Sequence, residues 1–246
     1  MEAFRIDINA DVGEGIGNEA QLLPLISSCN IACGGHAGDE ETMIKVIKLA
    51  KEHRVKIGAH PSFPDKENFG REVIDISHTA LFAAVKNQIK ALLRVCREEQ
   101  ALLHHVKPHG ALYNLAAKDK STAQVIVEVM KRFHQPLNLY VPYGSVIAEV
   151  AKRENIAITY EAFADRNYNE DLSLVSRKLP NALITNSDEM FEHVHNMVVH
   201  QKVKCVSGVE VSIQAATFCI HGDNPNALKL ASDLRQNLLA SGIGIR

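Results

Sequence analysis

An α/β fold closed as a β/α barrel is the architecture this sequence predicts, and three features predict it. Short apolar runs alternate with longer segments of helical period along all 246 residues. The intervening segments are too long for hairpins, so successive strands must be joined by parallel crossovers. Seven or eight such strands in one stretch of this length favour a closed barrel over an open doubly wound sheet, with 1–246 as a single domain.

Strands are expected at 4–10, 29–33, 55–59, 102–106, 137–141, 157–160, 182–185, 204–206 and 217–220. Helices are expected over 40–53, 79–99, 122–133, 145–154, 188–200 and 225–240. The second helix carries Leu81, Val85, Ile89, Leu92 and Cys96 at helical spacing with a polar opposite face. The first strand alternates: Asp7, Asn9 and Asp11 share one face, and Ile6, Ile8 and Ala10 share the other. In a barrel the polar face turns to the lumen, with Asp7 in a hydrogen-bonded core layer and Asp11 nearest the strand end.

Composition excludes several classes. Apolar residues are 46% and charged residues 23%, an ordinary globular balance. The net charge of -2, with no basic run, argues against a nucleic-acid partner. No apolar stretch is long enough for a membrane span, and residues 1–8 carry no signal-peptide core. Five scattered cysteines suit reduced thiols in the cytoplasm rather than a disulfide framework.

The polar residues fall in phase with the strands. Asp11 and Glu14 follow the first, His36 and Asp39 the second, His60 the third, His109 the fourth, Asp165 and Arg166 the sixth, and His221 and Asp223 the last. In parallel α/β folds these strand ends converge on the face where active sites are built. Five of the segments are glycine-rich beside a histidine or an acid, which suits close approach of backbone to a ligand. His53, His78, His134, His193, His195 and His200 fall on helical or turn segments and are expected to be solvated. His104 and His105 lie within a strand and suit a core role.

Asp11, His36, His60 and His109 are the catalytic candidates. They would serve either as metal-free acids and bases or as ligands of a divalent metal such as zinc, activating a water for amide hydrolysis. No pair has the local spacing of a helical metal motif. Cys33, three residues before His36, suits a buried thiol better than a nucleophile. Asn9, Glu14, Lys107, Arg71, Asp165, Arg166, His221 and Asp223 are the substrate-binding candidates. The arginines offer bidentate geometry to a carboxylate or phosphate. Lys107 would neutralise an anion or else pair with a barrel acid. No Walker-type glycine-lysine loop is present in the sequence.

Six strings carry a family resemblance: residues 7–14 (DINADVGE), 30–39 (NIACGGHAGD), 58–71 (from GAHP to FGR), 106–114 (VKPHGALYN), 161–168 (EAFADRNY) and 219–225 (CIHGDNP). In this order, over nearly the whole chain, they resemble the LamB/YcsF family, described as the A component of an ATP-dependent 5-oxoprolinase. The resemblance implies a seven-stranded, polysaccharide-deacetylase-like barrel. It also implies ATP-driven opening of the 5-oxoproline lactam to glutamate, together with partner subunits B and C. The segment after Gly15 is shorter than the family's, and Gly35 stands where a phenylalanine is common. Two other functions suit the same residues: a metal-dependent deacetylase of an N-acetyl sugar, and a non-catalytic small-molecule-binding subunit. With aromatics at 5% and no tryptophan, a sugar platform is poorly supplied.

Overall fold

The computed structural model describes residues 4–246, so residues 1–3 of the opening stretch lie outside the described residues. In β1 (Arg5–Val12) the expected alternation sets the architecture. Ile6, Ile8 and Ala10 enter the apolar layer beneath the helices, while Asp7, Asn9 and Asp11 are equally buried on the other face. There Asn9 Nδ2 donates to Glu161 and to Thr217, which belong to other strands, so the polar face is the barrel lumen.

The chain runs from β1 through a short helix α1 (Glu19–Leu22) to β2 (Ser28–Ala32), α2 (Glu40–Glu52) and β3 (Lys56–His60). It continues through α3 (His78–Glu98), β4 (Leu103–Val106), α4 (Gly110–Ala116), α5 (Lys120–Met130), β5 (Asn138–Pro142), α6 (Val146–Arg153) and β6 (Ile158–Phe163). An excursion follows, with α7 (Ser187–Val199) and the hairpin strands β7 (Lys202–Lys204) and β8 (Glu210–Ser212). The chain then re-enters the barrel at β9 (Thr217–His221) and ends with α8 (Ala227–Ala240) and β10 (Gly244–Ile245). Strands β1 to β6 pair in sequence order and β9 bonds both β6 and β1, all in parallel, which closes a seven-stranded barrel. β10 adds to β1 below the closure.

Local chemistry starts the helices. Asp39, Ser77, Asp119, Ser145 and Asn186 each accept a backbone N–H of the following first turn. Asp39 is therefore a helix cap rather than a site residue. The stripe Leu81, Val85, Ile89, Leu92 and Cys96 is buried as its spacing predicts. Inside the barrel, Gly58 leaves room for the His105 ring, since a Cβ there would lie 2.1 Å from Nε2. That ring bonds Asn30 and stacks on Tyr140.

Two expected strands are corrected. Residues 182–185 form no barrel strand: β6 pairs directly with β9, leaving no slot between them. Instead this stretch runs back along the chain after β6, with Asn167 N–H donating to Ala182 and Ile184 N–H to Asp165. The strand expected at 204–206 is β7, two residues earlier, and it belongs to an antiparallel hairpin outside the barrel. The helix α4 carries no periodic signal in the sequence, because its seven residues are too few to display one. Among the described residues no helix is long and apolar enough to cross a membrane. The five cysteines are free and buried.

His193 is a further correction. It is half-buried between α7 and the end of β6, where Nε2–H donates to Phe163 O at 3.3 Å, rather than freely solvated. Burial pushes its pKa down to about 4. The unfolded chain, with a histidine pKa near ~6.5, therefore binds more protons between the two values, so stability is complete above the higher one and falls as pH drops toward the lower. Urea melts of wild type against His193→Phe should show a wild-type loss approaching roughly 3 kcal/mol between neutrality and pH ~4 that the variant lacks. Parallel pH profiles would refute the desolvation of this ring by its docking against β6.

Candidate active site

At the C-terminal mouth of the barrel lies a cleft of about 870 Å³ whose floor is charged. Lys107 follows β4 and is 2% exposed. Its Nζ lies 3.0 Å from Asp11 Oδ1, 3.0 Å from Glu161 Oε1 and 3.0 Å from Cys219 Sγ. Burial alone would lower the ammonium pKa, but Asp11, Cys219 and Glu161 raise it well above the ordinary lysine value. Burial alone would raise the Asp11 carboxyl, yet His60 and Lys107 hold it well below the usual carboxylate range. Lys107 is thus the barrel-lining partner of the acids. Asn30 Nδ2 bridges Asn9 and Asp11 at 2.8 Å each, which locks the strand-end carboxylate in place.

Three histidines and Glu14 form a second group beside Asp11. His36 Nε2 lies 2.8 Å and His109 Nδ1 3.4 Å from Glu14 Oε1, while His60 Nε2 lies 3.3 Å from Asp11 Oδ2. The His36 and His109 rings stack at 3.7 Å with planes 2° apart. Burial lowers the pKa of both rings. The 65–71 loop closes over them: Phe69 takes φ +56° and accepts from His109 Nε2 at 2.9 Å. Gly70, also at positive φ, leaves a Cβ only 3.0 Å from His36 Cβ and 3.1 Å from the His109 ring.

On the opposite side, Asp165 receives both the backbone N–H of His221 at 3.0 Å and its Nδ1–H at 2.8 Å. Asp165 is fully buried; its carboxyl stays below the usual range because His221 outweighs the cost of burial. His221 stacks on Phe163 and reaches toward Asp11 and Cys219. At the rim, Asp223 Oδ2 accepts from Arg71 at 2.7 Å and from Arg177 at 2.9 Å.

The candidates thus converge, with shifts in role. Arg166 lines the cleft but donates to Ala182 O and Val175 O, so it fastens the excursion after β6. The carboxylate among the three histidines is Glu14, not Asp11, which faces Lys107. Cys33 is a buried thiol pushed up to about 12 by burial. Gly35 has a packing reason: a Cβ would meet Gln88 Oε1 at 2.2 Å and Ser62 Oγ at 2.3 Å. Sequence reasoning assigned no role to Glu161 or Arg177. Glu161 was findable, since it alternates with Phe163 on the lumen face of its strand. Arg177 carries no periodic signal, because it lies in irregular chain.

The fold and site define a β/α-barrel protein with a buried histidine–carboxylate centre at its C-terminal mouth. The chain belongs to the LamB/YcsF family, which it matches over residues 6–246. A Staphylococcus aureus (strain Newman) protein named as the A component of 5-oxoprolinase is 44% identical over 248 aligned positions, covering 99% of both chains. The crystal structure of a lactam utilization protein from Thermus thermophilus superposes with TM-score 0.92 at 39% identity over 99% of each chain. A GH18 chitinase from Pseudoalteromonas aurantia, at TM-score 0.54 and 11% identity over 96% of this chain and 99% of its own, is alike in fold alone.

Replacing Lys107 by Met should leave two carboxylates buried without their cation. Urea denaturation at neutral pH should show a loss of roughly 3–5 kcal/mol. An unchanged midpoint would mean that the lumen is wet enough to solvate Asp11 and Glu161 without it.

Proposed function

We propose that this chain is the A component of a cytoplasmic, ATP-dependent 5-oxoprolinase that opens 5-oxo-L-proline to L-glutamate together with subunits B and C. The observation that carries this reading is the end-to-end likeness to a protein of that name, covering 99% of both chains. The cleft supports it by size and charge. A volume of about 870 Å³ suits a small acid with room for a transferred phosphoryl group. The two arginines on one Asp223 oxygen leave a net positive rim for an anionic substrate. The whole of 1–246 acts as one domain in this reading.

An unstrained lactam resists water, so ATP supplies the drive. Transfer of the γ-phosphoryl group to the lactam oxygen releases ADP and makes the ring carbon electrophilic. Water adds to that carbon, the ring nitrogen takes a proton, and the C–N bond breaks to give an acyl phosphate. A second water hydrolyses this to glutamate and phosphate. In the cleft, His221 is the base for the attacking water. Asp165 fixes its proton on Nδ1 and leaves Nε2 as an acceptor toward the floor. The Lys107 ammonium stabilises negative charge developing on the oxygens of the reacting carbon. Asp11 holds Lys107 in position and orients water, and His60 fastens the Lys107 main chain beside it. Arg71 and Arg177 hold the substrate carboxylate.

The test is reconstitution with subunits B and C, 5-oxoproline and ATP, measuring glutamate and ADP. ATP-dependent glutamate is expected. Asp165→Asn should lower kcat on the order of 10³-fold by releasing the His221 tautomer. Asp11→Asn and His60→Ala should abolish turnover while leaving folding and assembly with the two partners intact. Full activity in all three variants would move the chemistry to a partner. No glutamate, with acetate released from a chitooligosaccharide, would favour the deacetylase.

A further inference from the structure

His60 Nδ1 lies 2.7 Å from Lys107 O, and His109 Nε2 lies 2.9 Å from Phe69 O. A carbonyl only accepts, so each of these ring nitrogens carries its ring's proton. In the neutral rings the other two nitrogens, His60 Nε2 and His109 Nδ1, are then bare lone pairs. They face each other at 2.9 Å. Glu14 Oε1 stands 3.9 Å from the first and 3.4 Å from the second, and Asp11 Oδ2 is 3.3 Å from the first. Two lone pairs and two carboxylates converging on one point repel unless a cation lies among them.

We infer that Glu14, His60 and His109 form a binding site for a single divalent first-row transition metal ion. Ligand atoms around such an ion, with bonds of about 2.1 Å, stand about 3–3.5 Å apart, close to the separations found here. The donor set, two imidazoles and a carboxylate, is the borderline chemistry that suits zinc, cobalt or manganese and leaves a coordination position open. The carbonyls of Lys107 and Phe69 do for the two rings what outer-shell acceptors do for metal-bound histidines: they fix tautomer and orientation.

His36 is not a ligand in this arrangement. Its ring lies flat against His109, with planes 2° apart, so one ion cannot lie in the plane of both rings. Its Nε2–H instead donates to Glu14 and aims that carboxylate. Asp11 keeps one oxygen on Lys107 and turns the other toward His60 from the open side. The site is independent of the 5-oxoprolinase reading, because it follows from ring tautomers and not from a substrate.

The experiment is a cobalt(II) and zinc(II) titration of the chelator-treated full chain, followed by visible absorption, calorimetry and Tm. One equivalent should bind, with cobalt d–d bands and a Tm rise that grows with metal concentration. Glu14→Gln and His109→Gln should each weaken binding by at least about 100-fold. His36→Gln, which retains a donor to Glu14, should weaken it about 10–100-fold at most while preserving the one-to-one stoichiometry. Circular dichroism of each apo variant separates loss of ligation from loss of fold. No saturable uptake by the folded wild type would overturn the site, and so would uptake unaffected by Glu14→Gln and His109→Gln. Imidazole ¹⁵N shifts of the wild type showing one proton shared between His60 and His109, unchanged by added metal, would overturn it in favour of a charged histidine pair.

Discussion

The buried ammonium of Lys107 is the constraint on which the rest of the site is built. A cation 2% exposed in a barrel lumen is tolerable only beside ionised acids with their own hydrogen bonds. Asp11 comes from β1, Glu161 from β6 and Cys219 from β9, so three strands must present their lumen residues to one ammonium. The pairing registers bracket Cys219: Asp11 pairs with His221, two residues above it, and Glu161 with Thr217, two below, so the tilt of the strands brings the three side chains around one ammonium. Below Asp11 on β1, Asp7 is bonded by Ser28 and Thr217 and reached by Lys56, and these contacts close the bottom of the lumen.

The same constraint explains why the barrel has two kinds of burial. Outward-facing residues of the strands meet helices and are aliphatic, which drives closure non-directionally. Inward-facing residues form a connected hydrogen-bond network that specifies one register. A one-residue slip in β1 would exchange Asp7, Asn9 and Asp11 for Ile6, Ile8 and Ala10. The network also transmits geometry upward. His105 holds Asn30, and Asn30 holds Asp11 beside Lys107.

The mouth is organised by backbone groups more than by side-chain pairs. Phe69, in the left-handed region, aims its carbonyl at His109, and the Lys107 carbonyl does the same for His60. Such fixed acceptors select ring tautomers without adding charge, so they decide which nitrogens face the cleft. The excursion between β6 and β9 supplies the remaining wall. Arg166 fastens it from inside, and Arg177 ties its outer edge to Asp223.

Much of this was legible in the chain alone. Alternation in β1, the helical stripe of α3 and the phase between strands and histidines fixed the barrel class and the face on which polar residues gather, because these depend only on local periodicity and parallel connection. Near-complete family strings identified the lineage. Three matters were decided by tertiary structure. Residues 182–185 carry an apolar strand pattern but find no vacant edge, since β9 already pairs with β6. His193 reads as a helix-surface residue yet is covered by the end of β6, a contact made only when the helix docks. Glu14, not Asp11, stands among the three histidines, because the turn after β1 folds back over the lumen by an amount that periodicity does not encode. Which atoms face one another depends on strand registers and carbonyl directions set by distant segments, and a linear pattern holds neither.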